Sequence, residues 1–309
     1  MKVLVTGAGG FVGSAVVRRM AREDRFTVRA ATRHQSHALP AGVEHVTADL
    51  TSETNWPTAM SGVTAVVHLA ARVHVMRDTA ADPLSEFRRV NVDGTLNLAR
   101  AAAAAGVKRF VYLSSLKVNG ESGTFAADDP PAPQDAYGIS KHEAEAGLRM
   151  IAAHGTLEVV IIRPPLVYGP GVRANFAALV RAIARGIPLP LGAVRNLRSL
   201  VGIDNLVDFI LTCIGHPAAT NETFLVSDGE DLSTTDLARR LARAMGRRAR
   251  LIPVPAAALM LMATAIGRRD VAERLLGSLQ VDISKSRRRL AWNPPISVDE
   301  GLRRTVTPP

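Results

Sequence analysis

One cysteine, Cys213, stands in 309 residues. That excludes a disulfide framework and a cysteine-based metal cluster, and it leaves a buried structural thiol as the expected role. Long apolar runs are also missing. The longest, PAAALMLMATAIG at 255–267, is too short to span a bilayer and reads as a buried helix. The opening MKVLVTGAGG has no apolar segment ahead of a cleavage site, so a signal peptide is not expected and the cytoplasm is the expected location. Massed charge is absent as well. The formal net charge is +10, yet the basic residues are scattered, as at Arg18, Arg19, Arg88, Arg89, Arg239 and Arg240. The one dense run, SKSRRRL at 284–290, has no aromatic residues interleaved to stack on bases, so a nucleic-acid partner is not expected. The charge suits anionic small molecules. A basic face near an anionic membrane surface stays open, without membrane insertion.

What is present is an ordinary globular composition, 47% hydrophobic and 21% charged, without internal repeats or long linkers. Short apolar runs alternate with helical spacing through the first two-thirds. Strands are expected at 2–6, 27–32, 43–48, 65–70, 109–115 and 157–164, and helices at 11–23 and 91–106. Continuous apolar strands alternating with helices predict an α/β fold, a Rossmann-like, doubly wound parallel sheet covered on both faces. From about residue 170 helices dominate, with short strands at 223–227 and 250–254. The expected division is a dinucleotide-binding domain over 1–170 and a smaller, mostly helical substrate lobe over 171–309, with the chain able to cross back to the sheet.

VLVTGAGGFVG sets Gly7, Gly10 and Gly13 at the turn between the first strand and the first helix. The turn must be tight, the backbone must approach a pyrophosphate, and the helix must pack on the strand. The helix start at Phe11 and Val12 offers free N–H groups to phosphate. At the end of the second strand an acid would accept from a ribose 2′-OH. VRAATRH has Thr32 there, and then Arg33, whose guanidinium can bind a 2′-phosphate. The cofactor is therefore read as NAD(P), with NADP(H) favoured over NAD(H). The bland alternative leaves Arg33 merely exposed on a loop, with mixed cofactor use.

In YGISKHEAE, Tyr137 and Lys141 lie one helical turn apart on one face. Carbonyl reduction needs an acid on oxygen while hydride reaches carbon. A free phenol titrates near 10, and a neighbouring ammonium would lower it. Read alone, Tyr137 could equally be a helix-start aromatic and Lys141 a solvated cation. YLSSLKVNG adds Ser114 and Ser115 at the end of a strand.

These motifs resemble the extended branch of the short-chain dehydrogenase/reductase superfamily, over nearly the whole chain. The resemblance implies that Ser115, five residues before Gly120, is the catalytic hydroxyl, with Tyr137 as acid/base and Lys141 on the nicotinamide ribose. It implies cofactor contacts from Asp49 and Leu50 in ADL, from Leu69, Ala70 and Ala71 in HLAA, from Asn91 in NVDGT and from Pro164 in IIRPPLVYGPGV. The bland reading of Asp49 is a strand-end cap. Family members usually have Tyr before the glycine, where this chain has Asn119. Sugar-nucleotide members often carry an Asn where this chain has Leu166.

In the second lobe, NLRSLVGIDNLVD is similar to the segment in which an arginine grips the diphosphate, here Arg198, with Ser199 and Gly202 replacing the usual Asp and His. ANF resembles the segment whose backbone reads uracil, implying Asn175 and Phe176. Arg274 is implied as a second phosphate ligand. The alternative for each arginine is a surface salt bridge. The fuller pattern looks most like a subgroup from O-antigen and capsule clusters. It implies reduction at C4 of a UDP-4-keto-6-deoxy-N-acetylhexosamine. The runner-up is a UDP-hexose 4-epimerase with tightly bound NAD, and a third reading is a non-catalytic NADP-sensing regulator. A UDP-sugar partner and a homodimer built on the helices after 91 and 137 are expected.

Overall fold

A computed structural model describes residues 1–34, 39–73 and 82–307, without the Asp270 side chain. The first half runs β1 (Lys2–Thr6), α1 (Phe11–Met20), β2 (Thr27–Thr32), β3 (Glu44–Thr47), α2 (Pro57–Met60), β4 (Ala65–His68), α3 (Pro83–Arg88), a π-helical turn (Arg89–Gly94), α4 (Thr95–Ala104), β5 (Arg109–Leu113), β6 (Gly123–Phe125) and α5 (Ala136–Ala153). The second half runs β7 (Glu158–Arg163), β8 (Leu166–Tyr168), α6 (Ala174–Ala184), β9 (Arg198–Gly202), α7 (Ile203–Gly215), β10 (Thr223–Leu225), β11 (Asp231–Leu232), α8 (Thr234–Ala244), α9 (Ala256–Ala265), α10 (Arg269–Leu276), β12 (Leu279–Val281), α11 (Ser284–Leu290) and α12 (Val298–Val306).

Seven strands form a parallel sheet in the order β10-β7-β5-β4-β1-β2-β3. The apolar runs read as strands because both faces are buried, and successive side chains alternate between them. Val3, Val5, Val111 and Ile162 enter one core with residues of α1 and α7. Leu4, Val66, Phe110 and Ile161 enter the other with α4 and α5. This is the expected doubly wound sheet. Strand order reverses between β1 and β4, so a crevice opens beyond their C-terminal ends. The chain does return to the sheet after 171, through α7 against α1 and β10 against β7.

The second lobe holds a small sheet as well as helices. Its order is β11-β9-β12-β6, with β8 on β9. β6 comes from before α5, so this sheet stitches the lobe to the segment that leads into that helix. Two expectations need correcting. The 250–254 segment forms only a bridge between Leu251 and Leu189, because Pro253 and Pro255 cannot donate to a ladder. The 255–267 run is helical, as α9, but none of its residues is buried. The dense basic run is structural: Lys285 pairs with Asp128 at 2.6 Å and Arg289 with Glu222 at 2.5 Å. Cys213 is a free, buried thiol in α7.

Candidate active site

The turn after β1 is shaped by glycine. Gly7 sits at φ +67°, and a Cβ there would stand 2.7 Å from the backbone nitrogen of Ala70. A Cβ on Gly13 would stand 2.0 Å from the Gly7 carbonyl oxygen. Gly10 caps α1 in extended conformation with no side-chain cap, and the first turn carries no acid. The N–H groups of this first turn therefore face the crevice mouth unblocked, the arrangement a pyrophosphate requires. Leu69 and Ala70 form the opposite wall, with the Leu69 and Ala70 amides donating to the carbonyl and hydroxyl of Thr6.

His68 anchors that wall. Its ring bonds the Thr6 hydroxyl at 2.6 Å and the Thr95 hydroxyl at 2.8 Å, joining β1, β4 and α4. Burial pushes its pKa down to about 3, with the Lys141 charge adding to the shift, so the ring is neutral. Asn91 lies in the π-helical turn, a local geometry common at functional sites. Its amide bonds the backbone of Arg72 in both directions and donates to Ser140 Oγ at 3.0 Å. Asn91 thus ties the segment after Ala71 to α5.

Thr32 fills the acid position by donating to the His34 carbonyl at 2.6 Å and bonding His45, while Arg33 is exposed. Asp49 caps its own strand end, accepting from the Leu50 amide at 2.8 Å. Leu50 is buried against Gly94, where a Cβ would stand 2.7 Å from the Leu50 side chain.

Asp135 starts α5, its carboxylate accepting from the Gly138 amide at 2.7 Å. Tyr137 stands in the first turn, its ring edge-on to Phe87 at 6.0 Å, and Ser115 acts on its phenol to hold the pKa down against burial. Lys141 is buried one turn on and donates to the Leu113 carbonyl at 2.9 Å. Its Nζ is 5.9 Å from the Tyr137 ring centre. Ser115, Tyr137 and Lys141 therefore converge at the C-terminal end of β5. Pro164 adjoins them, its carbonyl accepting from the Leu116 amide at 3.0 Å.

The electrostatics differ from expectation. Burial drives the Tyr137 phenol well above its ordinary value, Asp135 adds to the rise, and Ser115 pulls it back. Burial drives Lys141 down to about 7, against the attraction of Glu145. Lys141 does not lower Tyr137 in the protein alone, because desolvation dominates both groups and the ammonium is committed to Leu113.

Behind the site lies a network that sequence reading missed. Glu145 receives Arg163 at 2.6 and 2.9 Å and Ser114 Oγ at 2.5 Å, with both charged side chains buried. Burial opposes the charged form of Glu145, yet Arg163 and Ser114 hold its carboxyl below the usual range. Asn119 accepts from Arg163 Nη1 at 3.0 Å, which gives the residue in the family's usual Tyr position a structural partner.

In the second lobe Arg198 is half-buried and donates to the Gly277 carbonyl at 3.0 Å, at the end of α10. Burial lowers its pKa, opposed by Glu121, and no ion pair reaches it among the described residues. Arg274 lies in the last turn of α10, also without an ion pair among the described residues. Asn175 is exposed at the start of α6. Phe176 is buried and its ring stacks on Tyr168 at 5.6 Å, so the ring belongs to the core. Ser199 spends its hydroxyl on Asp231 and the Val281 amide.

Residues 3–227 match the model of the NAD dependent epimerase/dehydratase family. The chain belongs to that family. Within it, the chain is 47% identical over 310 residues to a UDP-glucose 4-epimerase of Vibrio cholerae, covering 98% of this chain and 94% of that one. Among solved structures, MoeE5 in complex with UDP-glucose and NAD is 27% identical, with TM-score 0.78 over 99% of this chain and 97% of that one. UDP-glucuronic acid 4-epimerase from Bacillus cereus in complex with NAD superposes with TM-score 0.80 at 21% identity, covering 99% and 97% of the two chains. The relatives and structures described above place this chain among NAD-dependent nucleotide-sugar enzymes.

Proposed function

We propose that this protein is a UDP-hexose 4-epimerase that keeps and recycles NAD. The observation that carries the reading is the full-length identity of 47% to a UDP-glucose 4-epimerase, on a chain whose Ser115, Tyr137 and Lys141 converge at one strand end. The 4-ketoreductase expected from the sequence pattern has no comparable support. The same holds for NADP(H): Thr32 is engaged with His34 and His45, Arg33 stands exposed, and the similar structures were solved with NAD.

The cofactor fits the residues present. Gly7, Gly10 and Gly13 with the amides of Phe11 and Val12 would hold its pyrophosphate. Asp49 and Leu50 would hold its adenine side, and Leu69, Ala70, Ala71 and Asn91 would border its phosphates and ribose. Lys141 would bond the nicotinamide ribose and Pro164 would meet the carboxamide. Bound NAD supplies a hydride acceptor and a positive charge.

The chain's own residues handle the proton and the orientation. Tyr137, once a nearby positive charge has favoured its phenolate, takes the proton of the sugar C4 hydroxyl and later returns it to the C4 oxygen. Ser115 donates to that oxygen and holds it in place. Because burial alone leaves Tyr137 a reluctant acid, the reaction waits on a cation entering the site. Arg198 and Arg274 hold the diphosphate, with the backbone of Asn175 and Phe176 at the uracil. A homodimer through α4 and α5 is part of the proposal. Purified protein without added cofactor is expected to interconvert UDP-glucose with UDP-galactose, or the N-acetyl pair. NADPH consumption with a UDP-4-keto-6-deoxy sugar, and no interconversion, would overturn the reading.

A further inference from the structure

α9, with the sequence AAALMLMATA, is apolar around its whole circumference, and only Thr264 is polar. A helix of that kind belongs in a core or against lipid. In this fold it is in no core. Leu261 and Ile266 are each 74% exposed and Met262 52%, with Ile252 at 50% on the approach to the helix. α9 packs mainly on α10, and that pair is hung from the substrate lobe at the end of α10. There the Leu275 and Gly277 carbonyls accept from Asn196, and Gly277 also from Arg198.

The flanks are rich in arginine. Residues 237–269 contain eight, bounded by Asp236 and Asp270, and three of them, Arg239, Arg240 and Arg269, are paired with carboxylates. Among the described residues Arg243, Arg247, Arg248, Arg250 and Arg268 join no ion pair, and all five are exposed. Arg239, Arg243, Arg247 and Arg248 line an open depression of about 490 Å³. Arg250 precedes the first turn of α9 by six residues, and Arg268 follows its last by three. No helix among the described residues is long and apolar enough to cross a membrane.

We propose that α9 and the arginines at its two ends form a peripheral docking surface for an anionic lipid bilayer. The apolar helix lies in the headgroup boundary, and the guanidiniums meet lipid phosphates. Charge selects this occupant. A second copy would bring the same arginines against one another, whereas an anionic leaflet neutralises them. Docking in this way holds the Arg198 side of the substrate lobe toward the membrane.

The test is flotation of the full-length protein with vesicles of phosphatidylcholine alone, and with an equal mixture of phosphatidylcholine and phosphatidylglycerol. The protein should float with the anionic vesicles, stay behind with the neutral ones, and be released by high salt. Leu261→Glu with Ile266→Glu should abolish flotation and leave the melting temperature unchanged, because both side chains are exposed. Arg247→Ser and Arg248→Ser should each lower partitioning about fivefold. No flotation, or flotation untouched by the Leu261/Ile266 double variant, would overturn the proposal. So would a drop in the sedimentation mass of that variant, which would assign the face to a second copy.

Discussion

Tyr137 in the free protein is a phenol held protonated by burial and by Asp135, beside a lysine pushed down to about 7. Its role is therefore conditional on what binds. Tyr137→Phe is expected to lower kcat about 10²–10⁴-fold while NAD binding, followed by fluorescence, is unchanged. Near-parental turnover in that variant would remove Tyr137 from the mechanism. His68 yields a stability prediction. Its folded pKa is about 3 against 6.5 unfolded, so the unfolded chain takes up the proton first. The contribution is complete above pH 6.5 and is lost as pH falls toward 3. Between pH 6.5 and 5, before most carboxylates titrate, the loss is on the order of 2 kcal/mol. Denaturant titrations should show that slope in the parent and a flatter one in His68→Gln; equal slopes would contradict it. Tyr137 and Lys141 were legible as a spaced pair, and Ser115 was singled out through the family resemblance. His68, Glu145 and Arg163 were not, because their roles depend on partners 18 to 62 positions away that no local pattern announces.

Elements were legible where burial and period agree. β1, β2 and β5 begin where the apolar runs predict, since both faces of each are covered and most of their residues are apolar, with buried Arg29 and Arg109 held by Glu44 and Glu158. The 250–254 segment failed because prolines block its ladder, and α9 failed because hydrophobicity reports what a helix can bury, not whether the fold offers it a partner. The π-helical turn at Arg89–Gly94 had no signal beyond Asn91, since the sequence there reads as ordinary helix. The β1–α1 turn was the most legible element, and its geometry makes a firm prediction. Gly13→Ala places a methyl 2.0 Å from the Gly7 carbonyl, so the helix must shift away from the strand. A loss of about 1–3 kcal/mol in stability and of NAD affinity together is expected, by thermal melt and titration. Parental affinity in that variant would show that the cradle tolerates what its geometry forbids.

For the whole molecule, the parallel sheet places the end of β1, the wall after β4 and the catalytic end of β5 on one rim of the crevice. The small sheet then brings β9 and β12, with Arg198, to face them across the segment from β6 to α5. That second sheet was invisible in the sequence because its strands are two to five residues long and its β12–β6 pairing joins segments about half the chain apart. The reaction type was equally hard to read. Ser115, Tyr137 and Lys141 serve a reductase and an epimerase alike, and Arg33, which pointed to NADP(H), stands exposed on the structure. What separates the two reactions is the fate of the hydrogen on C4. UDP-glucose deuterated at C4, incubated with the protein and no added cofactor, should yield UDP-galactose with the label retained at C4. Label lost to an external pool, or no 4-epimer from either UDP-glucose or UDP-N-acetylglucosamine, would contradict the epimerase account.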